Sequence, residues 1–252
     1  MTLHLSSTFL LAFMLALVRA SAWVMICPPF SSKSIPGMAK IAIALGVAFD
    51  AAGRLQHDPM PTTDAQVLTQ LVVQVLVGFL LGFVVSMFIS AVAAAGNLAD
   101  LFSGLNLPPS IDPLSQQQSP LFGQFYNLVA TALLFTTGAV LVIVGGFIHS
   151  FDAIGTSFPP TTLGSVANVL IGDVTTFFAA AVEIAAPIIA VLFAAQVLLA
   201  LLAKAAPQIN VFVFGFPFQI LLALAGVGLA LVALPSAVDN LVGRATVQLF
   251  GA

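Results

Sequence analysis

The segment Gly96–Phe125, GNLADLFSGLNLPPSIDPLSQQQSPLFGQF, decides how the rest of the chain is arranged. It lies between two long apolar runs and contains four prolines. Proline lacks a backbone N–H and disfavours helix in the residue before it, so a continuous helix from about Asn106 to Pro120 is excluded. The stretch is nevertheless too apolar for a linker in water. Irregular backbone at membrane depth is tolerated only inside protein or around a water-filled cavity, so the sequence predicts a functional loop held within an assembly.

Composition indicates a membrane protein. Of the 252 residues, 60% are hydrophobic and 6% are charged, whereas a soluble domain carries about 25% charged residues. Six lysines and arginines are too few to bind nucleic acid. The single Cys27 excludes an intrachain disulfide, and three separated histidines form no metal-ligand motif. We therefore expect neither a metal nor a cofactor.

The apolar run that ends at Cys27 is expected to be a retained helix rather than a signal peptide. No basic region precedes it, Arg19 interrupts it, and no small-residue cleavage site follows. Further apolar runs, separated by loops rich in Pro, Gly and Ser, predict six helices in all. Their approximate bounds are Ser6–Ile26, Gly37–Ala52, Thr63–Ala95, Leu121–His149, Asp173–Ala203 and Val211–Val238.

The predicted fold is an all-α membrane protein of about six long, kinked helices, forming one domain over residues 1–252. The third helix alone would measure near 50 Å at about 1.5 Å per residue, which exceeds the ~30 Å hydrocarbon core. It must therefore tilt, kink or protrude. The third and fourth helices form one hairpin around the central loop, and the last two form another around Lys204–Asn210.

Some polar and small residues within the helices have two interpretations each. Arg19 either extends to the membrane interface or pairs with Asp100 or Glu183. Glu183 is either a protonated or paired structural residue between helices, or a functional one.

A polar stripe and a glycine pair lie on the third helix. Gln66, Gln70 and Gln74 share one face, which is either exposed to water or bridges partner helices. Gly78 and Gly82 form a GxxxG pair, which favours close contact with another helix.

The sequence contains no nucleotide-binding, zinc-protease or hydrolase motif, and no carboxylate stands beside a histidine in a recognisable pair. We therefore expect no enzyme, which leaves a conduit or a scaffold. One alternative is a small secondary transporter that uses Asp100, Asp112 and Glu183 as a proton or cation relay. Another is a structural subunit of a respiratory or permease complex.

The stretch Lys204–Pro217, KAAPQINVFVFGFP, resembles the APQxNVFxxGFP signature of the flagellar biosynthesis protein FliR family, which includes counterparts in virulence type III secretion. Supporting similarity lies in Gly104-Leu105, Asp112-Pro113, Gln118-Ser119-Pro120, Phe125, Arg19–Ala22 and Ser32–Pro36. The chain departs from the family at Gly96-Asn97, where Gly-Glu is usual. Asp100, three positions further on, shares a helical face with that site.

The resemblance implies a subunit of the flagellar type III export gate, in the bacterial inner membrane at the flagellar basal body. The implied partners are FliP-like and FliQ-like sister subunits in a closed helical ring, an FlhB-like protein around it, an FlhA-like protein beneath it, and exported flagellar proteins. The implied fold resembles a fusion of the FliP-like and FliQ-like folds, and its central loop, about 105–120, plugs the pore.

Two groups of site residues follow. The plug is expected to comprise Leu105, Asn106, Leu107, Pro108, Pro109, Ser110, Ile111, Asp112, Pro113, Gln116, Gln117 and Gln118. Structural or assembly roles are expected for Asp100, Glu183, Pro207, Gln208, Asn210, Phe212, Gly215 and Pro217.

Overall fold

The structure is a computed structural model that describes residues 7–32, 35–56, 58–104, 120–156, 162–206, 208 and 210–250. Every regular element in these ranges is an α-helix. The elements are α1 (Ser7–Ile26), α2 (Gly37–Leu55), α3 (Asp64–Ser103), α4 (Leu121–Thr136), α5 (Ala139–Ile154), α6 (Thr162–Ala205), α7 (Val211–Ala230) and α8 (Leu234–Phe250).

Several helices are long and apolar enough to cross a membrane. Three qualify alone, Ser7–Ile26, Asp64–Ser103 and Leu170–Ala205, and the number rises to five if α4–α5 and α7–α8 each count as one broken span. The prediction of an all-α membrane protein is confirmed, and the N-terminal apolar run is a helix as expected.

The number of helices and some of their ends differ from the prediction. The predicted fourth helix is broken into α4 and α5 at Gly138, which adopts a left-handed conformation with φ of +77°. The predicted sixth helix ends at Ala230, because Pro235 cannot donate to the carbonyl of Leu231 and its ring would clash with that carbonyl in a continuous helix. A separate helix, α8, then covers most of the stretch beyond Val238, for which no helix was predicted.

Two helices extend beyond their predicted ends. Helix α3 continues past Ala95 to Ser103, because no proline interrupts NLADLFS. Helix α6 begins at Thr162 instead of Asp173, within what was expected to be a connector. Pro187 and Pro217 are both accommodated inside helices, in α6 and α7.

The chain forms two compact units that interleave in sequence. The first consists of Met1–Phe88, Gly138–Val174 and Leu241–Ala252. The second consists of Ile89–Thr137 and Thr175–Asn240. Helices α3, α6 and α8 each contribute residues to both units.

In the first unit, α1 lies against the first half of α3. A Cβ atom added to Gly78 would overlap the carbonyl oxygen of Arg19, and one added to Gly82 would lie 3.1 Å from the carbonyl oxygen of Trp23. The predicted close contact of the GxxxG pair is therefore confirmed, with α1 as the partner. Trp23 also stacks on Phe147 of α5, with ring centroids 4.2 Å apart.

Arg19 is fully buried and holds the end of α5. Its guanidinium donates hydrogen bonds to the carbonyl oxygens of Ser150 and Gly155, at 3.2 and 2.6 Å, and lies 4.3 Å from the centre of the Phe151 ring. Carbonyls at the end of a helix lack intrahelical partners and carry partial negative charge, so a cation is favourable there. The hydrogen-bond partners of Arg19 in the described structure are Gln74 and two backbone carbonyls, and not the Asp100 or Glu183 carboxylate of the second interpretation.

The glutamines of the α3 stripe differ in burial and in hydrogen-bond partners from one end of the stripe to the other. Gln74 is buried, accepts a hydrogen bond from Arg19 Nε at 2.5 Å, and donates to the carbonyl oxygen of Thr156 at 3.3 Å. Gln66 is exposed and accepts a hydrogen bond from the backbone N–H of Thr62 at 3.0 Å. Each of the two interpretations of the stripe thus holds at one end of it.

A second arginine of the first unit lies at the surface. Arg54 of α2 forms an ion pair with Asp152 of α5 at 2.6 Å, and its hydrogen bond with Asp152 raises its pKa. The Arg54 side chain is 41% exposed, so water and salt screen this pair. It provides a natural comparison for the buried Arg19.

We predict that Arg19→Ala destabilises the protein by roughly 2–5 kcal/mol, because it leaves buried carbonyls and Gln74 without a donor and opens a cavity. Arg19→Lys should give an intermediate loss, since an ammonium cannot reproduce the planar fork of donors. The matched control Arg54→Ala should cost under about 1 kcal/mol. Thermal unfolding of the detergent-solubilised chain measures all three, and equal losses for the two alanine variants would contradict the assignment.

Candidate functional site at the ends of the central segment

The central segment leaves α3 at Ser103 and rejoins regular structure at α4, and both ends belong to the second unit. Gly104 follows α3 with φ of +76°, the left-handed conformation in which glycine commonly ends helices. Residues 105–119 lie outside the described part of the chain, and so do all twelve predicted plug residues. The described structure therefore defines how the segment is anchored.

Asp100 connects the two ends. Its side chain is fully buried in the last turns of α3. Its Oδ1 accepts the backbone N–H of Phe122 at 3.1 Å, and its Oδ2 accepts that of Gly123 at 3.0 Å. These amides belong to the first turn of α4, where N–H groups have no intrahelical acceptor. Pro120, the residue before α4, provides no side-chain cap, so Asp100 caps the helix from the other side of the central segment.

The charge of Asp100 suits this position. The start of a helix carries partial positive charge and binds anions through its free N–H groups. Two charge-assisted hydrogen bonds thus stabilise a fully buried carboxylate. The geometry places Asp100 where it fixes the distance between the end of α3 and the start of α4.

Close contact between the α3 and α4 backbones allows the short Asp100 side chain to reach the first amides of α4. A Cβ atom added to Gly96 would lie 2.5 Å from the carbonyl oxygen of Phe122, so α3 and α4 touch through glycine at this point. The Asn97 side chain lies against Gly123 of α4. Asn97 and Asp100 therefore both face the start of α4.

The α3 end is also held from α6 and α7. Gln196 Nε2 donates a hydrogen bond to the carbonyl oxygen of Phe102 at 2.8 Å. A Cβ atom added to Gly104 would lie 3.7 Å from both the Gln219 Oε1 and the Phe216 ring. Sequence reasoning missed Gln196 and Gln219, although isolated amides within apolar helices were a usable signal for buried polar contacts.

The other predicted assembly residues are distributed over α6, α7 and the turn between them. Glu183 is exposed on α6, Gln208 and Asn210 are exposed near the start of α7, Gly215 is buried in α7, and Pro217 is exposed there. Pro207 lies outside the described residues, and the side chain of Phe212 is not described either. Thirteen residues separate Glu183 from Gln196, which is roughly 20 Å along a helix. The site therefore brings together Asp100 and Gln196, but not Glu183.

The sequence profile of the family described as "Bacterial export proteins, family 1" matches residues 10–245, and the chain therefore belongs to this family. The chain is 30% identical to the flagellar biosynthetic protein FliR of Bacillus subtilis (strain 168), over 83% of this chain and 82% of the relative. It is 27% identical to FliR of Escherichia coli (strain K12), over 81% and 78%.

A more partial similarity exists to the surface presentation of antigens protein SpaR of Shigella flexneri. It amounts to 30% identity over 52% of this chain and 50% of SpaR. The resemblance predicted from the APQINVF stretch is thus confirmed at the level of the family.

We predict that Asp100→Ala frees the first turn of α4, because the amides of Phe122 and Gly123 lose their only acceptor in the described structure. Loss of a buried charged acceptor is worth about 1–3 kcal/mol, so these two amides should exchange hydrogen roughly 5- to 150-fold faster. Asp100→Asn keeps one acceptor oxygen and should give a smaller effect.

Hydrogen–deuterium exchange of a peptide that covers α4 measures this change. The matched control is Asp239→Asn, an exposed carboxylate of α8 in the same unit. Unchanged exchange at the start of α4 in the alanine variant would show that Asp100 does not cap this helix.

Proposed function

We propose that this chain is a subunit of a type III protein export gate in the bacterial inner membrane, at the base of a flagellum. Membership of an export family and apolar helices that suit a membrane support this proposal. The relatives include proteins named for flagellar biosynthesis, for presentation of surface antigens and for translocation of Yop proteins. Over the same share of this chain, 83%, FliR of Bacillus subtilis is 30% identical and the Yop proteins translocation protein T of Yersinia pestis is 27% identical, and the higher identity favours flagellar use.

The central segment, about 105–120, is the part that closes the channel in this proposal. The observation that carries it is the Asp100 cap, together with the bond from Gln196 to α3. A plug must be irregular, apolar enough to seal, and fixed at both ends so that it can move aside and return. The sequence supplies the first two properties, and Asp100 and Gln196 supply the third.

The proposed partners are FliP-like and FliQ-like sister subunits, with FlhB-like and FlhA-like proteins around and beneath the ring. Exposed apolar side chains cover much of α6. Only 22% of its most apolar stretch of 18 residues is buried within this chain. Such a surface requires lipid or other subunits to cover it. A family of export-apparatus components also gives no reason to expect an enzyme.

The transporter alternative receives less support from the structure. Asp100 is occupied by two helix-capping hydrogen bonds, and Glu183 lies far along α6 from the site that Gln196 and Asp100 form. Asp112, the third carboxylate of the expected relay, lies outside the described residues, and a relay between Asp100 and Glu183 would need groups that bridge this distance.

The assembly is tested by co-expressing the chain with FliP-like and FliQ-like subunits and isolating the complex through a tag on the FliP-like subunit. We expect a stable complex that contains this chain, and an inert chain when it is expressed alone. Transport of a solute by the chain alone in vesicles would instead favour the transporter.

The plug is tested in the same complex by deleting residues 106–117. The deletion should make vesicles that contain the complex leaky to small ions, as measured with an ion-sensitive dye. Replacing Leu105, Leu107 and Ile111 with serine keeps the length and should also cause leakage, because these side chains are proposed to form the seal. Ser110→Ala is the control, and a deletion variant that stays as tight as the parent would refute the plug.

A further inference from the structure

One peptide group of the first unit lies between a buried cation and a carboxylate. It joins Gly155 to Thr156, directly after the end of α5. Its carbonyl oxygen accepts a hydrogen bond from Arg19 Nη2 at 2.6 Å, and its N–H donates to Asp58 Oδ2 at 3.0 Å. The C=O and N–H of a trans peptide point in opposite directions, so the two charged side chains approach the group from opposite sides.

Both charges suit the dipole of this peptide group. Its oxygen carries partial negative charge and its N–H partial positive charge, so a cation at the oxygen and an anion at the N–H polarise it in the same sense. The charge of Asp58 also interacts with that of Arg19 through space. The ion pairs found among the described residues join other side chains, so Arg19 and Asp58 are linked through the peptide group rather than by direct contact.

The close approach of the carboxylate requires glycine at position 155. Gly155 has φ of +47° and ψ of −151°, a backbone conformation that residues with a side chain rarely adopt. A Cβ atom added to it would lie 2.6 Å from Asp58 Oδ2. A side chain at this position would therefore displace the carboxylate from the peptide N–H.

The other polar groups of this short stretch are also bound. Gln74 Nε2 donates a hydrogen bond to the carbonyl oxygen of Thr156 at 3.3 Å, and the Thr156 hydroxyl donates to the carbonyl oxygen of Pro59 at 3.3 Å. Thr156 and Gln74 are both buried. The partners come from α1, α3 and the turn between α2 and α3, so three parts of the chain hold the end of α5.

We propose that Arg19 and Asp58 form an ion pair bridged by the Gly155–Thr156 peptide group, and that this bridge is a clasp that locks the end of α5 onto the first three helices. We call it the Gly155 clasp. The segment Met1–Phe88 supplies both charges, and the segment Gly138–Val174 supplies the peptide group between them. Opening of the clasp frees the end of α5, so its strength sets how often this end detaches from the unit.

Asp58 is a positioning residue in this clasp, because its charge acts on Arg19 through the peptide group. The proposal goes beyond the export function and does not depend on it, since every part of the clasp belongs to one unit of this chain.

A simpler role for Asp58 would be that of an ordinary acceptor for one free N–H after α5. Asparagine would fill that role about equally well, whatever residue occupies position 19. In a bridged ion pair, by contrast, the charge of Asp58 stabilises the protein only when position 19 carries a positive charge. A thermodynamic cycle between the two positions separates the two roles.

The first experiment measures thermal unfolding of the detergent-solubilised chain in three backgrounds: the parent, Arg19→Lys and Arg19→Met. Methionine is a long side chain without charge. Asp58→Asn should lower the Tm by roughly 3–8 °C in the parent, and by a comparable amount in Arg19→Lys. In Arg19→Met the same substitution should change the Tm by less than about 2 °C. Equal shifts in all three backgrounds would overturn the bridged pair.

Asp152→Asn is the matched control for this cycle. Asp152 is a carboxylate of α5 in the same unit, and it pairs with Arg54 at the surface. Its substitution should shift the Tm by the same small amount in all three backgrounds. A shift that depended on position 19 as strongly as that of Asp58→Asn would mean a general effect of charge, and it would overturn the role assigned to the peptide group.

The second experiment leaves Arg19 unchanged, so it tests the clasp even if Arg19→Met does not fold. Hydrogen–deuterium exchange is followed in a peptide that ends at Thr156. Asp58→Ala removes the acceptor, so the Thr156 amide should exchange roughly 10- to 100-fold faster. Asp58→Asn keeps an acceptor oxygen without the charge and should lie between this variant and the parent, while Asp152→Ala should match the parent. Exchange as slow as in the parent for Asp58→Ala would overturn the clasp.

Discussion

Two hydrogen bonds to one buried carboxylate join the end of α3 to the start of α4 in the second unit. Asp100 accepts the backbone N–H groups of Phe122 and Gly123, and through them the end of α3 and the start of α4 become neighbours. Whatever conformation the central segment takes, its two ends leave the helices beside each other. The close contact at Gly96 and the bond from Gln196 to Phe102 support the same arrangement. A segment anchored in this way can change shape without separating the helices that carry it.

The first unit also binds a helix end through a buried charge, but there the charge is positive. Arg19 is a buried cation, and it lies at the carbonyl end of α5, whereas Asp100 is a buried anion at the amide end of α4. A chain with 6% charged residues has few counter-ions to offer. Helix ends provide partial charges of both signs together with unpaired donors and acceptors, so they take the place of the missing partners. Each of the two buried charges therefore organises a helix end within its own unit.

Glu183 completes the contrast. It has the residue chemistry of Asp100 but no helix end beside it, and it is exposed on a helix whose surface is otherwise apolar. The buried charges thus organise helix ends within each unit, whereas Glu183 lies at the surface of its helix.

The amino-acid sequence by itself determined the class of the protein, the existence of most helices and the family. Composition and long apolar runs settle membrane character, and the APQINVF stretch carries the family resemblance, because both are local properties of the chain. The GxxxG contact of Gly78 and Gly82 was also predictable, although its partner α1 was not. The break at Gly138 and the extension of α3 to Ser103 were missed, because glycine permits a bend without requiring one and the end of a helix depends on its cap.

Only the tertiary structure decided what the buried polar residues do. Arg19 was expected to lie at an interface or to meet a carboxylate, and its true partners are carbonyls more than 130 positions away in the sequence, at Ser150 and Gly155. Asp100 was singled out by its place near the loop, but its role as the cap of α4 depends on the close approach of α3 and α4 at Gly96. Sequence patterns reveal which side chains are polar within an apolar helix. The N–H and C=O groups that bind these side chains occur in nearly every residue of the chain. Only the folded structure therefore shows which of them lack a helical partner and lie within reach.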